Sequence, residues 1–318
     1  MENLNVKKNK QVINSNLRNI KTINVHDEQI NYITSFPSGN IISASNDKTI
    51  KIFDIYLNIL QIINNAHEKE ITCIDIKDEN SFISCSFDKN IKTWIKTDQK
   101  FKLNQIIFNA HNDLIYQVMY ISNNNFISCS SNKTIKIWSY INNNNYQNST
   151  ILVHNDEVKS LLLLKDKNIL ISSGWDGTYF WNIYNFELII YKEAFCCKVN
   201  ALKRIDNDRI IVGGGNNGII KIISITKKDI IFNIKNKFEC WGICIIDNKK
   251  VFLIGGRSSN IKVYRNDNYI CIQIIENAHG LINNHNYGYG SYIYGFLEIK
   301  DGSIISYSNA NTIKIWIF

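Results

Sequence analysis

The sequence contains nearly the same phrase twice, and this repetition limits what the chain can fold into more than any other feature. Residues 81–94 read SFISCSFDKNIKTW, and residues 125–138 read NFISCSSNKTIKIW. Seven copies of the phrase align on a final anchor residue, with spacings of 41, 44, 43, 42, 41 and 52 residues. The anchors are Phe53, Trp94, Trp138, Trp181, Ile223, Tyr264 and Trp316. A period in the low forties over most of a chain indicates a repeat architecture.

Each repeat has the pattern of short antiparallel strands. A His in a phrase such as AHEK is followed by an alternating run such as ITCIDI, residues 71–76. A turn, a second apolar run and a tight turn of the NDK type come next, before a run such as TIKIW. Alternation, β-branched residues and turn residues every eight to twelve positions predict about four strands per repeat. The asparagine run at 141–148 has nothing to bury and is interpreted as a solvated loop.

A four-stranded sheet has two faces and two edges and cannot stand alone. Seven of these sheets packed radially bury their faces and leave only short edges. The GH…WD phrase of WD40 repeats is written here as AH…(S)xDKxIKxW, and on these motifs the chain resembles the WD40-repeat β-propeller family over residues ~17–317. The resemblance implies an all-β fold: a seven-bladed β-propeller of four-stranded antiparallel sheets.

The repeats also predict how the chain is divided. We expect residues 1–16 to form a flexible basic arm and residues 17–318 to form a single propeller. The expected repeat units are approximately 17–54, 58–95, 100–138, 146–182, 186–223, 227–264 and 268–317.

The two ends of the chain are predicted to meet. Only Ile317 and Phe318 follow the last anchor, whereas other units have a further strand after theirs, such as residues 102–111. The segment 16–27 before the first unit has the same pattern and ends at the same His position. The closure of the family therefore implies that this N-terminal strand pairs with the last sheet, which removes exposed edges that template aggregation.

Five of the six histidines occupy one repeat position, next to recurring Ser and Asp residues. On paper such a trio is a catalytic triad, but it recurs in unit after unit, whereas a catalytic site should be a non-repeating cluster. We find no such cluster and expect no enzyme activity. In the family, these residues form a structural hydrogen-bond network that runs from Trp to Ser, from Ser to His and from His to Asp. The resemblance implies this role for His26, Asp47, His67, Ser84, Ser86, Asp88, Trp94, His111, Trp138, His154, Ser172, Asp176 and Trp181.

The network is expected to be uneven around the ring. Blade two has the complete set, whereas blade one has Phe53 in place of the Trp and lacks the indole donor. Blade three has Asn132 and blade seven has Ala310 at the Asp position, and blades five and six lack both His and Trp. We therefore expect blades one to four to have the more complete hydrogen-bond network.

Each unit should place two residues on the rim of the face that carries the His loops. One lies just past the start of the first strand, and the other lies immediately before the Asp position. The rim candidates are Phe87, Tyr116, Lys159, Trp175, Trp241, Arg257, Tyr292 and Tyr294. Aromatic residues and Arg dominate interface hot spots. The alternative for each aromatic is that it caps the central channel or packs between blades.

So many aromatics at these positions favour a concave rim that accepts a peptide or loop of another protein. One side of this binding site would be formed by Phe87, Tyr116 and Trp175. Trp241, Arg257 and Tyr294 would lie opposite. The seventh unit is longer by about ten residues, and this insertion, 280–291, is predicted on the same face with Tyr287 and Tyr289.

Two functions from different classes fit these observations. The first is a non-catalytic scaffold or adaptor that holds other proteins as a subunit of a larger complex. The alternative is a nucleic-acid-associated propeller of an RNA- or chromatin-handling complex, since the net charge is +8. Lysines are spread along the chain, however, which is more typical of a solubility feature. Binding driven by phosphates would fall steeply with salt.

Composition excludes several other classes. The chain is 45% hydrophobic and 20% charged, which is typical of globular proteins. No apolar stretch approaches the ~20 residues of a membrane span, and the polar N-terminus is unlike a secretory signal. Eight cysteines are too few for a disulfide framework and predict free thiols in an intracellular protein, cytoplasmic or nuclear. Cys240 and Cys244 should share one face of a strand but have no nearby His, so neither a metal nor a cofactor is expected.

Overall fold

Twenty-eight β-strands and two short 3-10 turns form all the regular structure of the residues that the computed structural model describes. These residues are 16–141, 145–192, 199–215, 218–280 and 291–318. The segment predicted to be a flexible arm lies outside them, except for its last residue. No helix in the described ranges is long and apolar enough to cross a membrane.

The strands fall into groups of four along the chain, after a first strand β1 (Arg18–Asn24). Blade one contains β2 (Ile30–Ser35), β3 (Ile41–Ser45), β4 (Ile50–Phe53) and β5 (Ile59–Ile63). Blade two contains β6 (Ile71–Asp78), β7 (Ser81–Ser86), β8 (Ile91–Thr97) and β9 (Lys100–Ile107). Blade three contains β10 (Ile115–Tyr120), β11 (Asn125–Ser130), β12 (Thr134–Ile141) and β13 (Asn145–Val153).

The remaining blades follow the same order. Blade four contains β14 (Val158–Leu164), β15 (Ile169–Gly174), β16 (Thr178–Asn182) and β17 (Leu188–Lys192). Blade five contains β18 (Val199–Arg204), β19 (Arg209–Gly214), β20 (Ile219–Ser224) and β21 (Asp229–Lys235). Blade six contains β22 (Cys240–Ile246), β23 (Val251–Gly256), β24 (Ser258–Arg265) and β25 (Cys271–Ile275). Blade seven contains β26 (Ile293–Glu298), β27 (Ile304–Ser308) and β28 (Thr312–Ile317).

The seven sheets form a closed ring. Within each sheet the strands are antiparallel and follow chain order, except that β1 is the outer strand of blade seven, in the order β1-β28-β27-β26. The first strand of each blade contacts the first strands of the blades on both sides, and this chain of contacts returns from β26 to β2. The predicted seven-bladed β-propeller is therefore confirmed.

Pairing of β1 with β28 closes the ring. Thr22 lies opposite Lys314, and Asn24 lies opposite Thr312. The backbone of Leu17 also exchanges two hydrogen bonds of 2.9 Å with the Gln273 side chain of blade six. Each sequence repeat therefore supplies the outer strand of one blade and the first three strands of the next blade. The predicted pairing of the N-terminal strand with the last sheet is observed.

Burial follows from the position of each strand in its sheet. The second strands are almost fully buried, as in β7, because neighbouring blades cover both of their faces. The residues of the outer strands are exposed or half-buried, as in β5. Aromatic rings stack across the middle of several blades, with Phe82 on Trp94 at 5.8 Å and Phe126 on Trp138 at 5.9 Å. Between blades, apolar side chains from facing sheets form the core.

Two local expectations were wrong. The asparagine run is not one loop, because β12 extends to Ile141 and β13 starts at Asn145, with Tyr140 opposite Tyr146. The two cysteines of β22 do not share a face, because the register of β22 shifts between Cys240 and Gly242. Cys240 packs towards blade five and Cys244 towards blade seven.

Deletion of the closing strand tests the ring. We expect a variant without residues 1–24 to be insoluble or unfolded, because it leaves the edge of β28 uncovered and removes the contact between Leu17 and Gln273. A variant without residues 1–15 keeps all of β1 and should unfold cooperatively like the full chain. Thermal unfolding by circular dichroism measures both, and a folded, soluble variant lacking residues 1–24 would contradict the closure.

Candidate functional site

In blade two, a chain of hydrogen bonds runs from Trp to Ser, His and Asp. Trp94 Nε1 donates to Ser84 Oγ at 2.9 Å, and Ser84 Oγ lies 2.8 Å from His67 Nε2. His67 Nδ1 lies 2.9 Å from Asp88 Oδ2. The carboxylate only accepts hydrogen bonds, so Nδ1 carries the proton and Nε2 accepts the Ser84 hydroxyl.

The Asp of this chain also holds the turn that contains it. Asp88 Oδ2 accepts the backbone N–H of Glu68 at 3.0 Å, and Ser86 Oγ accepts the backbone N–H of Asp88 at 2.9 Å. Burial opposes ionisation of Asp88, but the hydrogen bonds, His67 first, outweigh it and lower its pKa to about 2. The network thus joins the loop before the first strand to the turn between the second and third strands.

Blades three and four contain the same chain with small changes. Trp138 donates to Ser128 at 2.8 Å, which lies 2.7 Å from His111. On the other side of the His111 imidazole, Asn132 Oδ1 and Thr134 Oγ1 replace the carboxylate, at 3.2 and 3.1 Å from Nδ1. In blade four, both His154 and Trp181 bond to Ser172 at 2.7 Å, and His154 lies 3.0 Å from Asp176.

Blades one and seven show what happens where the sequence departs from the pattern. In blade one, His26 bonds to Ser43 at 2.6 Å and to Asp47 at 2.8 Å, and Phe53 supplies no N–H. Blade seven has Ala310 at the Asp position, and the hydroxyl of Thr312 bonds to His279 Nδ1 at 2.8 Å instead.

The other half of the hydrogen-bond network in blade seven, from Trp to Ser to His, is complete. Trp316 donates to Ser306 at 2.7 Å, and Ser306 lies 2.7 Å from His279 Nε2. Blade seven therefore has a more complete hydrogen-bond network than was expected from its sequence.

A recurring lysine, which the sequence analysis missed, lies beside these histidines. Lys51, Lys92 and Lys136 each donate to the backbone carbonyl of the residue before the His, at 2.7–2.8 Å. Burial, and secondly the charge of Lys136, lowers the pKa of His111 to about 4. Burial together with Lys314 lowers the pKa of His279 to about 3. The repeated IK dipeptide was the available signal.

Substrate cannot reach the serines of this network. Ser84, Ser128 and Ser172 are fully buried, and each accepts an indole N–H. We therefore propose that the network is structural. No group of three or more His, Cys, Asp or Glu side chains in the described ranges could hold a metal ion.

In six of the blades, a repeated backbone hydrogen bond brings the two predicted rim positions together. Phe87 N donates to Glu70 O at 3.0 Å, and Trp175 N donates to Glu157 O at 3.1 Å. Arg257 N makes the same bond to Glu239 O at 3.0 Å. The residue before the Asp position therefore lies next to the residues that open the first strand.

A first rim cluster spans blades two to four. The rings of Phe87 and Tyr116 lie perpendicular at 6.0 Å. The ammonium of Lys159 is 3.3 Å from the Tyr116 ring centre and 5.2 Å from that of Trp175. Glu157 joins the cluster, because it accepts the Tyr116 hydroxyl at 2.9 Å and pairs with Lys159 at 2.7 Å.

A second rim cluster spans blades six and seven. Trp241 packs on Tyr292 at 5.4 Å and on Tyr294 at 5.0 Å between ring centres. Its Nε1 donates to Glu239 Oε2 at 3.1 Å, and Arg257 lies 3.5 Å from the same carboxylate. Burial raises the pKa of Tyr294 to about 12.

Both clusters border a cavity of about 680 Å³ in the central channel. Of the rim candidates, five line it: Phe87, Tyr116, Lys159, Trp241 and Tyr294. The other three, Trp175, Arg257 and Tyr292, lie beside these residues in the clusters. All the aromatic candidates are partly exposed.

Sequence reasoning missed the carboxylates of the rim. Glu70, Glu157 and Glu239 occupy one repeat position, two residues before the first rim position, and this repetition was the available signal. The predicted insertion lies almost entirely outside the described residues, including Tyr287 and Tyr289. Its ends meet, since Ser291 N donates to Gly280 O at 3.2 Å, directly beside the second rim cluster.

Comparison with known proteins agrees with this architecture. Residues 17–54, 58–94 and 102–139 match the family model described as WD domain, G-beta repeat. A search of curated proteins found no match. Three repeats of the chain thus match WD40 repeats, and the fold is a seven-bladed β-propeller. WD40 propellers typically serve as scaffolds for protein interactions.

Substitutions in blade two test whether the hydrogen-bond network is structural. Ser84→Ala leaves two buried groups, the His67 Nε2 and the Trp94 N–H, without a partner and should lower the free energy of unfolding by about 3 kcal/mol. Trp94→Phe, which copies Phe53 of blade one, removes one donor and should cost about 1 kcal/mol.

Urea unfolding measures both changes, with Ser81→Ala as the control because the Ser81 hydroxyl donates to the exposed Asp78 carboxylate. A loss from Ser84→Ala no larger than that of the control would contradict a structural role.

Proposed function

We propose that the protein is a non-catalytic scaffold that binds a peptide segment or loop of a partner protein on the rim of the His-loop face. The single observation that carries this proposal is the presence of two partly exposed aromatic clusters on one cavity. The first, around Tyr116, comes from blades two to four, and the second, around Trp241, comes from blades six and seven. Partly buried aromatics around a concave site are typical of binding hot spots.

The charges of the rim indicate the kind of anchor that fits. Lys159 is already paired with Glu157, and Glu239 already accepts the Trp241 N–H and lies near Arg257. With these charges satisfied within the chain, aromatic faces are the main surface left for a partner. We therefore expect an apolar or aromatic anchor residue that enters the mouth of the channel between the two clusters.

The size of the cavity supports a segment of one chain. A volume of about 680 Å³ lies within the range of sites that hold small ligands or a few side chains. A partner that inserts an anchor here would rest its flanking residues on the turns of the His-loop face. Those turns are fixed by the buried network, so the surface is ordered before binding.

The proposed setting is inside the cell, as a subunit of a larger complex. Five of the six cysteines in the described ranges are buried free thiols, which fits a reducing compartment. A non-catalytic role is supported by the recurring polar groups, which satisfy one another in buried positions.

Affinity purification with rim variants tests this function. We expect proteins that co-purify with the tagged wild-type chain to be lost from a Trp175→Ala/Trp241→Ala variant, which removes one aromatic from each cluster. Quantitative mass spectrometry of the purified samples measures the loss.

The matched control removes two aromatics from the opposite face. Tyr56 and Tyr184 are 70% and 77% exposed on turns between third and fourth strands. A Tyr56→Ala/Tyr184→Ala variant should keep the same partners. If the folded rim variant retains every partner of the wild type, the rim is not the binding surface.

A further inference from the structure

The face opposite the His loops contains a second cavity, with a volume of about 700 Å³. It lies where the first strands of blades two to five end, at the other mouth of the central channel. Its charged lining residues are Asp75, Lys77, Lys165, Asp166 and Arg204. We call this cavity the basal pocket.

Two of the three cations in the basal pocket form no ion pair with the carboxylates that the structure describes. Arg204 forms a two-pronged ion pair with Asp166, with distances of 2.6 and 2.8 Å, so these two charges cancel. Lys77 and Lys165 are exposed, and neither lies within ion-pair distance of a carboxylate in the described part of the chain.

The remaining acid of the pocket is turned towards the backbone. Asp75 Oδ2 accepts the backbone N–H of Tyr120 at 2.6 Å. Burial raises the pKa of Asp75 to about 6, and the charge of Lys165 opposes this rise. One partly buried carboxylate therefore faces two lysines, and the pocket has an excess of positive charge.

The apolar part of the lining distinguishes between possible anions. Ile76, Met119 and Leu163 are partly exposed in the pocket and can hold an aliphatic side chain. Single-stranded nucleic acid needs aromatic faces on which bases stack. Tyr120 is the one aromatic lining residue in the described part of the pocket, and its ring already packs edge-on against Phe126 at 6.0 Å.

We propose that the basal pocket binds an acidic segment of a partner protein. A Glu or Asp carboxylate of that segment lies between Lys77 and Lys165. A neighbouring aliphatic side chain packs on Ile76, Met119 and Leu163. This interaction is separate from the rim and does not depend on the function proposed for it.

Fluorescence anisotropy with a short labelled peptide of Asp, Glu and Leu tests the proposal. We expect the wild-type chain to bind the peptide and Lys77→Glu/Lys165→Glu to weaken binding by at least about tenfold, which corresponds to about 1.4 kcal/mol. Lys77→Arg/Lys165→Arg keeps both charges and should bind like the wild type. A Trp241→Ala variant should also bind like the wild type, because it changes only the rim.

The matched control makes the same change of charge elsewhere. Lys100→Glu/Lys102→Glu lies on the outer strand of blade two, outside the pocket, and should leave the affinity nearly unchanged. Equal weakening by this control overturns the proposal, as does a wild-type chain that does not bind the peptide. Tighter binding of single-stranded oligothymidylate, lost in Lys77→Glu/Lys165→Glu, would also overturn it in favour of nucleic acid.

Discussion

The pairing of β1 with β28 is the interaction on which the rest of the structure depends. Each repeat is offset from its blade by one strand, so six blades are completed by the repeat that follows them and the seventh only by the start of the chain. Without β1, blade seven has three strands and an open edge. The channel, the rim and the basal pocket all exist because the inner strands form a complete circle.

The buried hydrogen-bond network connects the fold to the proposed function. Asp88, which holds the His67 loop, directly follows Phe87, a residue of the first rim cluster. In blade four, Asp176 follows Trp175 in the same way. A turn that is fixed by a buried His thereby presents an aromatic side chain at a defined place. The buried network and the proposed binding surface therefore share the same short segments of chain.

Repetition explains how much could be predicted from the sequence. The period and the recurring His predicted the seven blades, because this pattern is repeated around the ring. The closure occurs once, and the resemblance to the family predicted it. Local geometry was missed, even where it is repeated, because the pattern of residue types does not show it. A register shift near the start of the first strand recurs in every blade, and in β22 it places Cys244 on the other side from Cys240. In blade seven, the hydroxyl of Thr312 bonds to His279 where other blades have an Asp.

The basal pocket could not be predicted for a related physical reason. Its lining residues come from four blades and are far apart in sequence, as Lys77 and Lys165 are. They meet only because the ring brings the ends of the first strands around one channel mouth. The sequence shows that lysines are numerous, whereas only the fold shows which of them face the same space without a carboxylate partner.

Hydrogen–deuterium exchange of the backbone of β1 tests the central claim, that the chain closes its own ring, most directly. The account predicts that residues 18–24 exchange as slowly as outer strands in the middle of the chain, such as β9, because β1 pairs with β28 along its whole length. Exchange of residues 18–24 at the rate of unstructured chain, while β9 stays protected, would contradict it.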